Sequence, residues 1–289
     1  NIGQVLKIIH DTFPSINIIA TGSSAFYLHQ QIGEPLTGRS RFFTMSPLSF
    51  QEIANHHDTI TAHAQLENML RFGLYPEVYG KPETYALEEL ENITSNYLYK
   101  DILQFEKLKK PDLLYNLLKA LAFQIGSEVS FNELSNKLGV HINTIKRYIE
   151  LLEQNYVIFR LSALNRNPRN EIGSSQKIYF YDCGIRNSII RNFNMLSLRN
   201  DVGQLWENFF VAEKRKLNFN HKKYVNTYFW RNYQKKEIDY IEEFNGKLEL
   251  YECKYSSKKT ITIPKDFENN YSDFNFNVVN AENYLKFLM

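Results

Sequence analysis

The sequence predicts a multi-domain α/β protein, and three observations carry that prediction. The chain has 289 residues, more than one hydrophobic core usually organises, so two or three compact units are expected. Residues 131–152 carry the apolar spacing of two short helices around a glycine turn. Residues 237–254 alternate as two strands around Asn245-Gly246, a strong hairpin signal.

Composition sets the outer limits. Hydrophobic residues make up 43% of the chain, with 21 Phe and 19 Tyr, enough apolar area to order such units. Lys and Arg number 34 against 32 Asp and Glu, so any nucleic-acid contact has to come from a local patch rather than an overall positive field. Cys183 and Cys253 sit far apart in apolar or aromatic runs, unlike a disulfide framework, which fits a reducing compartment. No run approaches the roughly 20 apolar residues of a membrane span. The amino terminus also lacks a basic stretch followed by an apolar one. A cytoplasmic protein without a membrane partner is expected.

Taking the elements in order, Ile2, Val5, Leu6 and Ile9 predict an amphipathic helix, and Ile16 to Gly22 a short buried strand. That strand ends in Thr21, Gly22, Ser23 and Ser24, small polar groups that suit either a ligand at the carboxyl end of a strand or an ordinary helix cap. Gly33 to Ser40 falls one substitution short of a phosphate-binding loop. The order around it is wrong, however, with a helix-like stretch before it and the strand-like Arg41 to Met45 after it. Leu70 to Pro76 supplies a turn, and Tyr85 to Lys110 has the spacing of a helical connector.

Phe131, Leu134 and Leu138, then Gly139, then Ile142, Ile145, Ile149 and Leu152 make a helix-turn-helix pattern. Strand candidates Tyr156 to Leu164 and Lys177 to Tyr181 enclose a loop with Arg166, Pro168 and Arg169, completing a winged-helix reading. Asn143, Thr144, Lys146 and Arg147 on the second helix, with Arg166 and Arg169 in the wing, are the residue types that contact phosphates or base edges, which makes DNA the candidate partner. Glu150 and Glu153 bring that helix close to neutral, so packing against another protein surface stands beside DNA binding. His141 takes the place of a Ser or Thr cap.

In the hairpin, a two-residue loop sets Asp239 opposite Glu252 and Glu237 opposite Lys254, all on one face, with Ile238, Tyr240, Tyr251 and Cys253 on the other. Opposed carboxylates call for a counter-ion, either a protein cation or a metal. Lys254 supplies one charge, and the remaining negative charge suits Mg²⁺ or Mn²⁺. A solvated ion-pair patch is the plainer alternative.

Two resemblances follow from these residues. Glu252-Cys253-Lys254, Asp239 and the upstream helix Gly203 to Val211 with Glu207 resemble the restriction-endonuclease-like superfamily. The resemblance implies that Glu207, Asp239 and Glu252 hold metal and that Lys254 orients the nucleophile or offsets charge. Thr21 to Ala25, Leu36 to Ser40 and Met45 to Glu52 resemble the latter half of a bacterial and archaeal AAA-superfamily ATPase. Tyr97, Tyr99 and Asp101 stand where that family carries a Tyr- and Asp-rich helix. Lys177 to Gly184 is similar to the motif that links it to a carboxy-terminal domain of unassigned function. This resemblance implies that Thr21 and Ser23 lie near a terminal phosphate and that Arg39 is an arginine finger or a structural arginine. The sequence has no P-loop, so it reads as a fragment, with ATP expected only in the full-length protein and oligomerisation through the ATPase part.

The expected units are a partial P-loop ATPase segment at 1–75, a helical connector at 76–112, a winged helix at 113–185 and a restriction-endonuclease-like unit at 186–289. The implied function is that of an ATPase-associated DNA-processing protein with a Mg²⁺-dependent nuclease-like end. The alternatives are a non-catalytic DNA-binding or regulatory module and a protein-interaction scaffold.

Overall fold

The computed structural model of the chain describes residues 2–22, 38–98, 111–165, 175–256 and 261–289. Helix α1, Ile2–Thr12, forms where its apolar spacing predicts. The strands expected at Ile16 to Gly22 and Arg41 to Met45 do not form. Both stretches lack regular structure and are largely exposed, with Ile19 at 89% and Met45 at 94%. A strand is stabilised by a neighbour, and the described sheet runs elsewhere in the chain.

Three short helices follow, α2 Phe50–His56, α3 Thr59–Ala64 and α4 Leu66–Phe72. A capping box starts α2: the Ser49 backbone N–H donates to Glu52 Oε2 at 2.8 Å and the Glu52 N–H donates to Ser49 Oγ at 3.2 Å. Gly73 ends α4 at φ +77°, the left-handed region that favours glycine. A side chain there would also collide with the Asp182 carboxylate, whose Oδ2 accepts from the Leu74 N–H at 2.7 Å. Helix α5, Glu83–Asn92, continues as a π-helical turn Ile93–Leu98, so the predicted connector helix is seen as far as 98. Tyr99 and Asp101 lie outside the described residues.

Helices α6 Pro111–Phe123, α7 Phe131–Leu138 and α8 Ile142–Gln154 lead into β1 Ile158–Ala163 and β2 Gln176–Phe180. The predicted apolar positions Leu134, Ile145, Ile149 and Leu152 are all buried in one core with α6. Ser130 caps α7 and Gly139 ends it at φ +64°. His141 does cap α8, with Nδ1 accepting from the Asn143 N–H at 3.2 Å. Strands β1 and β2 pair antiparallel, and an isolated bridge joins Glu128 to Lys177, tying the α6–α7 connection to β2.

Helix α9, Cys183–Ile190, precedes the long α10, Val202–Asn220, and then β3 Asn226–Arg231, β4 Glu237–Phe244, β5 Lys247–Cys253, α11 Lys265–Glu268, β6 Phe274–Val279 and α12 Leu285–Leu288. Among the described residues six strands join one mixed sheet in the order β2-β1-β3-β4-β5-β6, with β1/β3 and β5/β6 parallel. The sheet therefore runs straight through residue 185, where two units were expected to meet. The main core does the same, bringing Phe50, Met69 and Leu70 against Trp206, Phe209 and Phe210 of α10.

The hairpin register holds from Tyr240↔Tyr251 to Phe244↔Lys247 around Asn245 and Gly246, both at positive φ. On its other side β4 shifts register against β3 between Tyr228 and Trp230. This bulge corrects the expected faces: Ile238 and Ile241 share one core with Trp230, while Tyr240, Tyr251 and Cys253 enter the core beneath α10. Among the described residues no helix is long and apolar enough to cross a membrane.

Candidate carboxylate and lysine site

The site lies where β2, β4, β5 and α10 converge. The position of α10 is set by Asn208, which accepts from the Phe180 N–H at 2.7 Å and donates to the Phe180 carbonyl at 3.2 Å. One turn of strand geometry away, Lys177 and Tyr179 of β2 reach the preceding residue of the helix: Glu207 Oε1 accepts from Lys177 Nζ at 2.9 Å and from the Tyr179 hydroxyl at 2.7 Å.

Lys177 is fully buried. Besides Glu207 it pairs with Glu237 Oε1 and lies 3.8 Å from Asp239 Oδ1, while its ammonium sits 5.4 Å from the centre of the Phe229 ring. Glu207, Glu237 and Asp239 each offer a carboxylate oxygen within 4.8 Å of the others. Arg231 joins from the side, 3.5 Å from Glu237 and 3.1 Å from Glu128. Gly126, at φ +69°, closes over Glu207, since a Cβ there would lie 3.0 Å from the carboxylate.

A second, more open group adjoins the first. Asp239 Oδ2 accepts from the Cys253 N–H at 2.8 Å. Lys254, 43% exposed, pairs with Glu252 at 2.7 Å and lies 3.7 Å from Asp239 Oδ2. The sequence-predicted Asp239, Glu252 and Lys254 are thus brought together, and Asp239 links them to Glu207. The compact set of three carboxylates, however, contains Glu237 in place of Glu252.

Electrostatics follow from burial. Burial, then the charge of Asp239, pushes the Glu207 carboxyl up to about 8. The same two causes push Glu252 up to about 7, against the pull of Lys254. Burial opposes the charge on Lys177, but Glu207, Asp239 and Glu237 outweigh it, so its ammonium is held more firmly than an ordinary lysine. Lys254 is shifted the same way, burial again being outweighed by Asp239 and Glu252.

These residues do not fit a divalent ion as they stand. An ammonium with three N–H donors already sits among the three carboxylates, and Lys177 together with Arg231 already offsets their charge.

The other predicted positions are separate. Thr21 is exposed, and Arg39 pairs with Asp11 of α1 at 3.1 Å, both side chains exposed; no described contact joins Thr21 to Arg39. Ser23, Arg166 and Arg169 lie outside the described residues. On α8, Asn143, Lys146 and Arg147 are exposed and Thr144 is half-buried, opposite the buried Ile145, Tyr148 and Ile149. Sequence reasoning missed Lys177, Tyr179, Glu237 and Asn208 as site residues. The available signal was a lysine on the core-facing period of an otherwise apolar strand, in step with Tyr179 and Tyr181.

Comparison with known proteins places three matches along the chain: an AAA domain over residues 1–54, a domain of unknown function (DUF8612) over 63–196 and another (DUF4143) over 202–285. An uncharacterized protein of Mycobacterium tuberculosis is 24% identical over 267 residues, covering 88% of this chain and 58% of its own length. An uncharacterized protein of Haemophilus influenzae is 25% identical over 196 residues, covering 64% of this chain and 49% of its own. The chain thus spans about half to three-fifths of the length of these relatives. No solved structure matches. The AAA match, with a carboxy-terminal domain associated with AAA-type ATPases, supports an AAA-like superfamily for this chain.

Proposed function

We propose that this chain is the DNA-binding part of an AAA-type ATPase system, in which a winged-helix module makes the contact and a nuclease-like carboxy-terminal unit serves as a non-hydrolytic scaffold. The observation that carries the reading is α8. Its inner face is buried as Ile145, Ile149 and Leu152, and its outer face presents His141, Asn143, Lys146 and Arg147. The order α6, bridge, α7, α8, β1, β2 matches what a winged helix needs to set such a face against a major groove. Arg166 and Arg169, which lie outside the described residues, are candidates for phosphate contacts in this reading, and Thr144 for a contact at the helix start.

The nuclease-like reading of the last unit is supported by α10 lying on β2, β4 and β5 with Glu207, Asp239, Glu252 and Lys254. Its non-hydrolytic character is supported by Lys177 filling the carboxylate cluster. ATP binding, and assembly into a homo-oligomer, belong in this proposal to the longer protein, with Thr21, Ser23 and Arg39 on the nucleotide-proximal side.

The test is binding of a short DNA duplex, followed by fluorescence anisotropy in EDTA, beside a cleavage assay with Mg²⁺ or Mn²⁺. Metal-independent binding that weakens in Lys146→Ala and Arg147→Ala, without cleavage, is the expected result. One observation favours the competing reading, a metal-dependent phosphodiesterase: Lys254 remains accessible between Asp239 and Glu252. Cleavage that needs metal and disappears in both Asp239→Ala and Lys254→Ala would replace the scaffold reading.

A further inference from the structure

We infer that Lys177 is the resident cation of the Glu207, Glu237 and Asp239 cluster and that it excludes a divalent ion from this site. The inference deepens the scaffold reading above and rests on its nuclease-like assignment of the last unit.

The geometry argues for a fixed occupant. The side chain of Lys177 is enclosed, and its ammonium directs its donors at Glu207 and Glu237 with Asp239 close by. Its backbone is held as well. Leu161 pairs with it from β1, Glu128 bridges it from the α6–α7 connection, and Asn208 of α10 clamps Phe180 farther along the same strand. Withdrawing the ammonium from the cluster therefore means either swinging it through packed side chains or displacing β2 from both α10 and β1. Close packing makes each of these costly.

The occupant also has a consequence for coupling. Lys177 lies on β2, the strand returning from the connection that follows β1, and it bridges to the residues that enter α7. Glu128 pairs with Arg231, which in turn reaches Glu237. The neutralised cluster thus pins the helical unit to the carboxy-terminal sheet, and a metal ion in the same place would lack that tether.

The experiment uses the whole chain and Mn²⁺ as the probe, with binding followed by calorimetry. Wild type shows no Mn²⁺ site that depends on Glu237, whereas Lys177→Met, which frees the three carboxylates, gains one, because a like charge has been removed from contact range. Glu237→Gln in the Lys177→Met background abolishes it. Wild-type Mn²⁺ binding that is lost on Glu237→Gln overturns the inference, as does a folded Lys177→Met that gains no site. If Lys177→Met does not fold, the wild type decides with ¹⁵N-labelled lysine. In excess diamagnetic Mg²⁺ the Lys177 ammonium resonance keeps its shift and slow exchange if the site is closed, and its movement to the position of a solvated lysine overturns the inference. Neither readout involves DNA, so failure of DNA binding by α8 is a separate result.

Discussion

Lys177 and Tyr179, two residues apart on β2, donate to the same oxygen, Glu207 Oε1, at 2.9 and 2.7 Å. A helix carboxyl group is thereby fixed by one strand, and the strand's buried ammonium is also paired with Glu237 and lies near Asp239. Removing the lysine leaves three carboxylates facing one another in an enclosed site. Lys177→Met is expected to destabilise the fold by about 3–5 kcal/mol, the range for breaking a buried ion pair from one side. Urea unfolding followed by circular dichroism measures it. A loss below about 1 kcal/mol would mean the pairing is not structural.

Glu207 gives a pH dependence of definite sign. Burial and Asp239 raise its folded pKa to about 8 from an ordinary value of 4.5. Between these values the folded chain holds a proton that the unfolded chain releases, so stability falls as pH rises from about 5 towards 8 and levels off above that. Glu252, pushed up to about 7, contributes in the same direction. Glu207→Gln keeps a neutral group in place and is expected to flatten the decline, as read from thermal unfolding across that range.

Asp201 behaves oppositely. Burial works against its charge, but hydrogen bonds from Arg199 and Arg186 outweigh it and hold the carboxyl down at about 2. Its contribution is present above the ordinary carboxylate range and is lost as pH falls towards about 2. Asp201→Asn is expected to cost about 1.5–3 kcal/mol at neutral pH, typical of hydrogen bonds to charged groups. The difference from wild type shrinks as acid protonates the native residue, which unfolding at neutral pH and at about pH 3 compares.

Two glycines separate backbone strain from collision. Gly73 and Gly80 have φ of +77° and +73°, but a Cβ at Gly73 meets Asp182 Oδ1 at 2.0 Å and one at Gly80 meets nothing within 4 Å. Gly80→Ala is expected to cost about 1–2 kcal/mol, the left-handed penalty alone. Gly73→Ala costs more, because Asp182 also holds the Leu74 and Ile185 N–H groups. Equal midpoint shifts in urea would show that the Asp182 contact carries no weight.

What the sequence made legible was local. The β4–β5 register follows from Asn245-Gly246 and the alternation around it, and α7 and α8 follow from their apolar spacing and the glycine between them. The bulge in β4 was not legible, because it arises against β3, and it sends Ile238 and Tyr240 to different cores. Nor could Lys177 be recognised as the counter-ion of Glu237. The two come from strands β2 and β4, which are not neighbours in the sheet, and pairing rules within one hairpin pointed to Lys254 as the cation. The apolar run Ile16 to Ala20 has the composition of a strand, yet pairing is a property of its surroundings and it remains exposed.

The proposed DNA contact is tested most directly by the salt dependence of duplex binding in EDTA, comparing wild type with Lys146→Ala. Phosphate contacts release counterions, so losing one is expected to weaken binding at every DNA sequence tried and to lower the slope of log K against log salt by about 1. Binding that is absent at low salt, or that is unchanged in slope and affinity by this substitution, would contradict the assignment of α8 as the DNA-facing helix.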